Sequence, residues 1–191
     1  MTWSNNMYKY DLDYDYNKSN FRKECIKKLN KNSKISRIQK DKYVCTKIFE
    51  LITLHKPSKI LAYIPLLMEV NIMPLVNRLR KENICEVYTP YVIGKTFKAV
   101  KYRLPLNKNR FGIKEPKNTR LNVDIDLAIV PVIGIDATNR RIGFGSGMYD
   151  RFFGNLKKQP ITIFIQRVLC KTNTIITSDY DIEANYIITG K

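Results

Sequence analysis

The sequence has little of the chemistry that holds transition metals or spans a membrane. It contains one histidine and four cysteines, and no two of the cysteines form a C-x-x-C unit, so we expect no zinc site built from these residues. No apolar run approaches the length of a membrane span, and the N-terminal residues lack the apolar stretch of a signal peptide. Scattered cysteines at apolar positions indicate buried thiols in a reducing compartment. We therefore expect a cytoplasmic protein that does not bind membranes.

Acidic residues are also scarce relative to basic ones. There are 34 lysines and arginines against 17 aspartates and glutamates, which gives a formal net charge of +17 at pH 7. An excess of this size favours anionic partners, among them nucleotides, polyanionic cofactors and nucleic acid. The basic residues form no dense block, however, and Lys, Asn, Ile and Tyr are abundant throughout, which also fits a general drift in composition. Binding to nucleic acid is therefore an alternative that charge alone supports.

The spacing of apolar residues predicts strands that alternate with helices. With 191 residues the chain is long enough for one core, and the alternation predicts a single α/β domain with a mostly parallel sheet. Residues 1–16, rich in Tyr and Asp, predict a poorly ordered leader ahead of one domain over 17–191. Ile38 and Cys45 are among the residues predicted to share the buried face of the second helix. The predicted helices cover 18–29, 36–53, 71–79 with Asn71 as N-cap, and the residues from Met148 onward; the predicted strands cover 59–64, 84–88, 97–102, 127–131, 160–165 and 185–189, with a long loop over 105–122.

Three glycines that alternate with other residues, Gly143, Gly145 and Gly147, are the most informative feature of the chain. A backbone of this kind can approach a ligand closely and present several N–H groups to it. Arg141 stands before the glycines and Asp150 after them, which supplies a guanidinium for phosphate and a carboxylate for Mg²⁺. The segment therefore predicts a nucleotide-phosphate site.

The elements that flank the glycines fit the same interpretation. Residues 127–131 predict a buried strand before the loop, and Met148 opens a predicted helix after it, which is the usual setting for an anion at a helix N-terminus. No Gly-Lys-Ser/Thr sequence follows, which excludes a Walker loop, and the glycine spacing does not fit the dinucleotide fingerprint. Alternating glycines also occur in tight turns without a ligand, so the pattern by itself leaves phosphate binding open.

The glycines belong to a longer pattern that points to one protein family. Residues 136–151 are similar to Asp-x-x-Gly-x-Arg-Leu-Gly-x-Gly-x-Gly-Tyr-Tyr-Asp-Arg, Lys18 and Arg22 match an N-terminal Lys-x-x-x-Arg, and residues 111–116 match Gly-Ile-x-Glu-Pro. In these segments, which together extend over about residues 18–189, the chain resembles the 5-formyltetrahydrofolate cyclo-ligase family, also called 5,10-methenyltetrahydrofolate synthetases.

The chain departs from the family pattern at a few positions. Met148 replaces the first Tyr of Tyr-Tyr-Asp, and its flexible apolar side chain can fill the same space. Asn139 stands where Gly is usual, and Asn adopts a positive φ more readily than most residues. Tyr180 and Asn185 replace a His and an Asp that are common on either side of Asp181.

The resemblance implies a fold and a reaction. The fold is a three-layer α/β/α single domain with a mostly parallel, Rossmann-like sheet. The reaction turns 5-formyltetrahydrofolate into 5,10-methenyltetrahydrofolate and converts ATP to ADP and phosphate with the help of Mg²⁺. The formyl oxygen attacks the γ-phosphate, N10 closes the ring and phosphate leaves, so the protein mainly positions two substrates and neutralises phosphate charge. The implied partners are Mg-ATP and folate, polyglutamylated folate included, on a monomer.

The resemblance also assigns roles to particular residues. It implies that the pterin ring stacks on Tyr149 and donates hydrogen bonds to Glu69, with Ile64 lining the same pocket. The residues implied to be catalytic are Arg141, Tyr149 and Asp150, and those implied to bind metal are Asp150 and Asp181. The residues implied to bind ATP are Lys18, Arg22, Arg141, Gly143, Phe144, Gly145, Ser146, Gly147, Met148 and Tyr149.

Several of these residues also have an ordinary structural explanation. Lys18 and Arg22 fit two solvated basic residues on a helix, and Asp150 fits a carboxylate that interacts with a helix N-terminus. Asp181 fits a surface acid, and Tyr149 fits core packing. For the whole protein, a folate- or nucleotide-binding relative without turnover is an alternative beside the nucleic-acid binder.

Overall fold

The computed structural model describes residues 17–32, 34–109, 112–119 and 122–190, so the leader predicted over 1–16 lies outside the described residues. The described chain alternates strands and helices as the apolar spacing predicts. The helices are α1 (Lys18–Asn32), α2 (Arg37–His55), α3 (Met73–Lys81) and α4 (Met148–Gly154); the strands are β1 (Lys59–Leu61), β2 (Glu86–Ile93), β3 (Thr96–Lys101), β4 (Asn107–Lys108), β5 (Lys114–Glu115), β6 (Leu127–Pro131), β7 (Gly134–Ile135), β8 (Arg141–Ile142), β9 (Ile161–Gln166) and β10 (Tyr186–Thr189).

A six-stranded sheet in the order β10-β9-β6-β1-β2-β3 forms the centre of the protein. Its first four neighbouring pairs are parallel, and only the pair of β2 with the edge strand β3 is antiparallel. Strand β6 is buried along its whole length, as expected for an apolar run in a parallel sheet that is covered on both faces. The prediction of a single α/β domain with a mostly parallel sheet is confirmed.

Helices cover both faces of this sheet and give the fold its three layers. One face packs against α2 and α3 around residues such as Ile48 and Leu79. The other face packs against α4 through Phe152 and Phe153. Helix α1 packs beside the β7–β8 pair through a third, smaller cluster that includes Phe21. Each fully buried apolar side chain of this size contributes about 1.5–3 kcal/mol to stability.

The buried face of α2 differs from the predicted one. Ile38 was predicted to be buried but is 83% exposed, whereas Asp41 is only 7% exposed. The buried stripe of α2 runs through Asp41, Val44, Ile48 and Ile52. A charged residue joins an apolar stripe here because Arg167 from β9's end neutralises it, with Nε donating to Asp41 Oδ1 at 2.8 Å.

Several predicted boundaries were also wrong. Strand β1 ends at Leu61 rather than at residue 64, and an irregular segment covers residues 62–72. Helix α3 has Ile72 at its N-cap, while the Asn71 side chain accepts a hydrogen bond from the Met73 N–H at 3.2 Å.

The extent of β2 and two short strand pairs were not predicted. Strand β2 extends well beyond the predicted 84–88, since its second half pairs with β3. The predicted loop over 105–122 contains the antiparallel pair β4–β5, and the pair β7–β8 lies inside the glycine-containing segment. Strands of two residues carry too few side chains to produce a periodic pattern.

Candidate functional site

The glycine loop joins β8 to α4 and is shaped by residues around it. Gly145 and Gly147 have φ values of 103° and 62°, a conformation that side-chain-bearing residues rarely adopt. A Cβ on Gly143 would lie 2.6 Å from Arg141 Cζ, so the guanidinium packs directly on the loop backbone. The loop therefore needs glycine at these positions for conformational and steric reasons that hold without any ligand.

Asp136 fixes the turn that leads into the loop. Its buried carboxylate accepts hydrogen bonds from the backbone N–H groups of Thr138, Arg140 and Thr177, and from both threonine hydroxyls. Burial alone would raise the pKa of Asp136, but these hydrogen bonds, led by Thr177 and Thr138, lower it to about 2. Asn139 follows in the turn with φ of 60°, which agrees with Asn replacing Gly there.

Arg141 lies at the centre of the predicted site residues. Its side chain is 8% exposed, its guanidinium lies 4.7 Å from the centre of the Tyr149 ring, and its Nη1 lies 3.8 Å from Asp150 Oδ2. The Nε donates to the Pro131 carbonyl at the end of β6 at 3.4 Å. Burial lowers the pKa of Arg141, and the Asp150 carboxylate opposes that shift. A largely desolvated cation in this position interacts strongly with any anion that reaches it.

Two basic residues of α1 reach the same region, as the Lys-x-x-x-Arg spacing implies. Arg22 Nε donates to the Gly143 carbonyl at 2.7 Å. Lys18 Nζ donates to both carboxylate oxygens of Asp181, at 2.6 and 2.5 Å. Neither residue is a free solvated cation on the helix surface, because each one is tied to a segment more than a hundred positions away in sequence.

The two predicted metal ligands differ in how fully they are engaged. Asp181 accepts hydrogen bonds from Lys18 and from the N–H and hydroxyl of Ser178. Burial raises the pKa of Asp181, but the hydrogen bonds from Lys18 and Ser178 outweigh it and hold that pKa below its ordinary value. Asp150 accepts one long bond from the Ile182 N–H at 3.4 Å and retains 20% exposure of its side chain.

This difference decides how well the residues fit Mg²⁺. Within the described ranges, no group of three or more His, Cys, Asp or Glu side chains could hold a metal ion. Mg²⁺ that arrives with a nucleotide needs only one or two carboxylates, because phosphates and water supply the remaining oxygens. Asp150 has oxygen lone pairs left for such a role, whereas Asp181 is committed to Lys18 and Ser178.

A cavity of about 650 Å³ lies beside the glycine loop, which contributes Phe144 and Ser146 to its lining. It is walled by the irregular segment 62–72, by β2 and β3, and by the start of α4. The predicted residues that line it are Ile64, Glu69, Arg141, Phe144, Ser146, Met148 and Tyr149. Lys18, Arg22, Asp150 and Asp181 contact the loop and its neighbours from outside this lining. A larger open groove of about 1100 Å³ between α2 and α3 contains none of the predicted site residues.

Glu69 and Tyr149 give the cavity its polar and aromatic character. Glu69 Oε2 accepts a hydrogen bond from the Leu66 N–H at 2.8 Å, and burial raises the pKa of Glu69 to about 7. Burial also raises the pKa of Tyr149, and its ring packs edge-on against Phe97 at 4.9 Å between centroids. The cavity thus offers a flat apolar wall beside a carboxyl that can change its protonation state near neutral pH.

The cavity lining also includes residues that were not predicted from the sequence, among them Phe97, Lys95, Glu115 and Arg151. Phe97 lies on β3 in an alternating pattern that predicts only core packing. Arg151 directly follows Asp150 in the motif, so the motif could have pointed to it. Its side chain donates to the carbonyls of Lys95 and Ser146, which holds the β2–β3 turn against the glycine loop.

Comparisons with known proteins agree on one family. The model of the 5-formyltetrahydrofolate cyclo-ligase family matches residues 15–190. A protein from Mycoplasma pneumoniae named 5-formyltetrahydrofolate cyclo-ligase is 26% identical over 175 residues, covering 91% of this chain and 99% of that protein. One of the same name from Haemophilus influenzae is 30% identical over 91 residues, and there the match spans only 45% of this chain and 49% of the relative.

The fold has a close counterpart among solved structures. The NMR structure of Aquifex aeolicus 5,10-methenyltetrahydrofolate synthetase superposes with a TM-score of 0.76 at 28% identity, covering 90% of this chain and 89% of that one. Throughout the described part of the chain, every helix is too short or too polar to span a bilayer.

Proposed function

The chain belongs to the 5-formyltetrahydrofolate cyclo-ligase family, and from that premise we propose that it converts 5-formyltetrahydrofolate to 5,10-methenyltetrahydrofolate while Mg-ATP becomes ADP and phosphate. The observation that carries this proposal is the position of Arg141. Its buried guanidinium packs on the backbone of the glycine loop, and Arg141 also lines the cavity that contains Glu69 and Tyr149. A cation at this junction is what a phosphoryl transfer between a nucleotide and a second substrate requires.

The cavity is suited to the pterin end of folate. A pterin is a flat ring that carries N–H donors on its edge, so it can stack on an aromatic side chain and donate to a carboxylate. Tyr149 and Glu69 provide these two features in the lining of the same cavity. Ile64 and Met148 supply apolar surface around them. In this proposal Glu69 accepts from the ring N–H groups and Tyr149 contacts its face.

The loop side is suited to the triphosphate of ATP. Arg141 and Arg22 bring two guanidinium groups to the glycine backbone, and Lys18 adds an ammonium beside Asp181. Guanidinium and ammonium groups are the usual side chains that bind phosphate. We assign the phosphates to Lys18, Arg22, Arg141 and the loop residues 143–149, with Phe144 and Met148 contributing apolar contact.

The chemistry proceeds in two displacements between the bound substrates. The formyl oxygen attacks the γ-phosphorus; an O–P bond forms, the bond from phosphorus to the bridging oxygen breaks, and ADP leaves. N10 then attacks the activated formyl carbon, N10 loses its proton, and the C–O bond breaks to release phosphate. Arg141 faces the charge that moves between these groups, so its part is electrostatic, while Tyr149 and Glu69 hold the reacting carbon in position.

Mg²⁺ in this reaction would neutralise phosphate charge. Asp150 fits as its protein ligand because its carboxylate is only weakly engaged. Asp181 fits better as the partner that aims Lys18 toward the loop, and it becomes available to a cation only when Lys18 turns to a phosphate.

The test is a direct assay of purified protein with 5-formyltetrahydrofolate and Mg-ATP. We expect the near-ultraviolet absorbance of the methenyl product to rise only when ATP and Mg²⁺ are both present. Folded protein that binds ATP without forming product would contradict the proposal and favour a binding relative without turnover. Tight and steeply salt-dependent binding to RNA or DNA, with no ATP binding, would favour the nucleic-acid alternative.

A further inference from the structure

The irregular segment 62–72 carries Glu69 into the cavity without any strand or helix to hold it. Side chains hold its backbone instead. Each of the five consecutive carbonyls of residues 67–71 accepts a hydrogen bond from a side chain. Tyr63 donates to the Val70 carbonyl at 2.7 Å, and the Cys45 thiol donates to the Asn71 carbonyl at 3.6 Å. The carbonyls of Leu67, Met68 and Glu69 all accept from Arg167.

Arg167 is positioned for this by a buried ion pair. It follows β9 directly, and its side chain is 1% exposed. Its Nε and Nη2 donate to the two carboxylate oxygens of Asp41 at 2.8 and 3.1 Å, which is a bidentate arrangement. The remaining donors, on Nη1 and Nη2, then point to the three carbonyls, with Nη1 at 3.3 Å from both Leu67 and Met68 oxygens. Asp41 therefore sets the plane of the guanidinium, and the guanidinium sets the path of the segment.

Neither residue lines the cavity, so any effect on the reaction must pass through the segment. Glu69 is the residue through which it passes, since its carbonyl is bound by Arg167 while its carboxyl enters the cavity. A guanidinium suits this task because its five donors lie in a fixed plane, which a lysine ammonium cannot reproduce.

We propose that Arg167, oriented by Asp41, is a positioning residue that holds the Glu69 segment in the geometry needed to bind the pterin. This inference rests on the proposed function for its catalytic consequence, but its structural core concerns the segment alone. It predicts that loosening the Arg167 contacts impairs use of the folate substrate and spares use of ATP, because within the described part of the chain the Arg167 side chain bonds to Asp41 and the Glu69 segment and not to the glycine loop.

The test replaces the whole buried pair rather than one partner. Removing Arg167 alone would leave the Asp41 charge buried and could unfold the protein, whereas replacing a buried pair with apolar residues of similar volume is often tolerated. We therefore choose the double variant Asp41→Leu with Arg167→Met. The matched control is Arg78→Met with Glu82→Leu, which removes a solvent-exposed arginine–carboxylate pair of 3.0 Å between α3 and the residue that caps its C-terminus. A third variant, Arg167→Lys, keeps the positive charge but loses the planar set of five guanidinium donors.

Two measurements are made on each full-length variant. For the Asp41–Arg167 double variant, we expect the KM for 5-formyltetrahydrofolate to rise by about tenfold or more, the KM for ATP to change by less than about twofold, and the control to match the wild type. We also expect the backbone amides of residues 66–70 to exchange hydrogen faster than in the control. The Arg167→Lys variant should also raise the KM for 5-formyltetrahydrofolate and speed hydrogen exchange in residues 66–70.

The outcomes separate this inference from the proposed function. Unchanged exchange in residues 66–70 would overturn the positioning role whether or not the protein turns over substrate. Faster exchange together with equal increases in both KM values would also overturn it, because the effect would then be general. Absence of methenyl product from the wild type would refute the proposed function, while the exchange experiment would still decide whether Arg167 holds the segment.

Discussion

Replacing Glu69 with glutamine should change how the stability of the protein depends on pH. Burial raises the pKa of Glu69 from 4.5 to about 7, against opposing effects of the Leu66 N–H, Arg141 and Arg167. Below about pH 4.5 this carboxyl is protonated in both the folded and the unfolded chain. Between that pH and about 7 the unfolded chain ionises first, so the folded state binds more protons and loses stability as the pH rises. Above about pH 7 the loss is complete.

The size of the effect follows from the two pKa values. The two pKa values differ by about 2.5, and each pKa unit corresponds to about 1.4 kcal/mol. The loss of folding stability therefore has an upper limit of roughly 3 kcal/mol. Because the side chain is partly open to the cavity, screening by solvent brings the expected value below that limit. Glutamine has the same shape and its amide oxygen can still accept the Leu66 N–H, but it does not ionise.

Urea unfolding at pH 5 and pH 8 measures this difference. Relative to wild type, Glu69→Gln should gain stability between pH 5 and pH 8, by about 1–3 kcal/mol in the free energy of unfolding. The matched control is Glu24→Gln, since Glu24 is an exposed glutamate on α1 and its loss should leave the pH dependence unchanged. If Glu69→Gln and wild type differ by the same amount at both pH values, the carboxyl is not desolvated and the reasoning fails.

Three further substitutions test the phosphate side of the site. Asp150→Asn should preserve the fold and lower kcat by about two orders of magnitude through weaker metal binding; an unchanged rate and Mg²⁺ requirement would remove Asp150 from the site. Arg141→Ala should raise the KM for ATP more than that for folate in steady-state assays, whereas equal increases would indicate general disruption. Gly143→Ala should displace the Arg141 guanidinium, because the new Cβ would lie 2.6 Å from Cζ, at a cost of about 1–3 kcal/mol in stability. Gly154→Ala is its control, since that Cβ would meet nothing within 4 Å, and equal melting temperatures of the two variants would contradict the steric argument.

The parts of the fold that local pattern determines could be predicted. The alternation of strands and helices and the parallel sheet follow from apolar runs such as residues 127–131, which a two-sided core requires. A phosphate-binding role could be proposed for the loop residues around Arg141 because glycine spacing and neighbouring charges lie within one short segment. For Lys18 and Arg22 such a role could be proposed only through the family resemblance, since nothing local indicates what they contact.

The features that depend on distant partners could not be predicted. Asp41 occupies a buried helical position and Ile38 an exposed one, and the buried carboxylate is explained by its two hydrogen bonds from Arg167, 126 positions away. The irregular path of the segment after β1 has a similar origin, because the carbonyls of Leu67 and Met68 bond to Arg167, about a hundred positions away, instead of to a strand. Likewise, nothing near Asp181 in sequence reveals that Lys18 occupies its carboxylate.

The contacts of α1 with the glycine loop have a consequence for synthesis and folding. Lys18 and Asp181 are separated by 163 positions, and Arg22 and Gly143 by 121. Closing loops of this length is slow and comes late, since ordering entropy is lost before the contacts form. During translation, α1 leaves the ribosome before the other helices and strands of the described domain. Its partners Gly143 and Asp181 emerge only after most of the domain has been synthesised. We therefore expect the phosphate-binding surface to be the last part of the molecule to mature, after the sheet and its two apolar layers have formed.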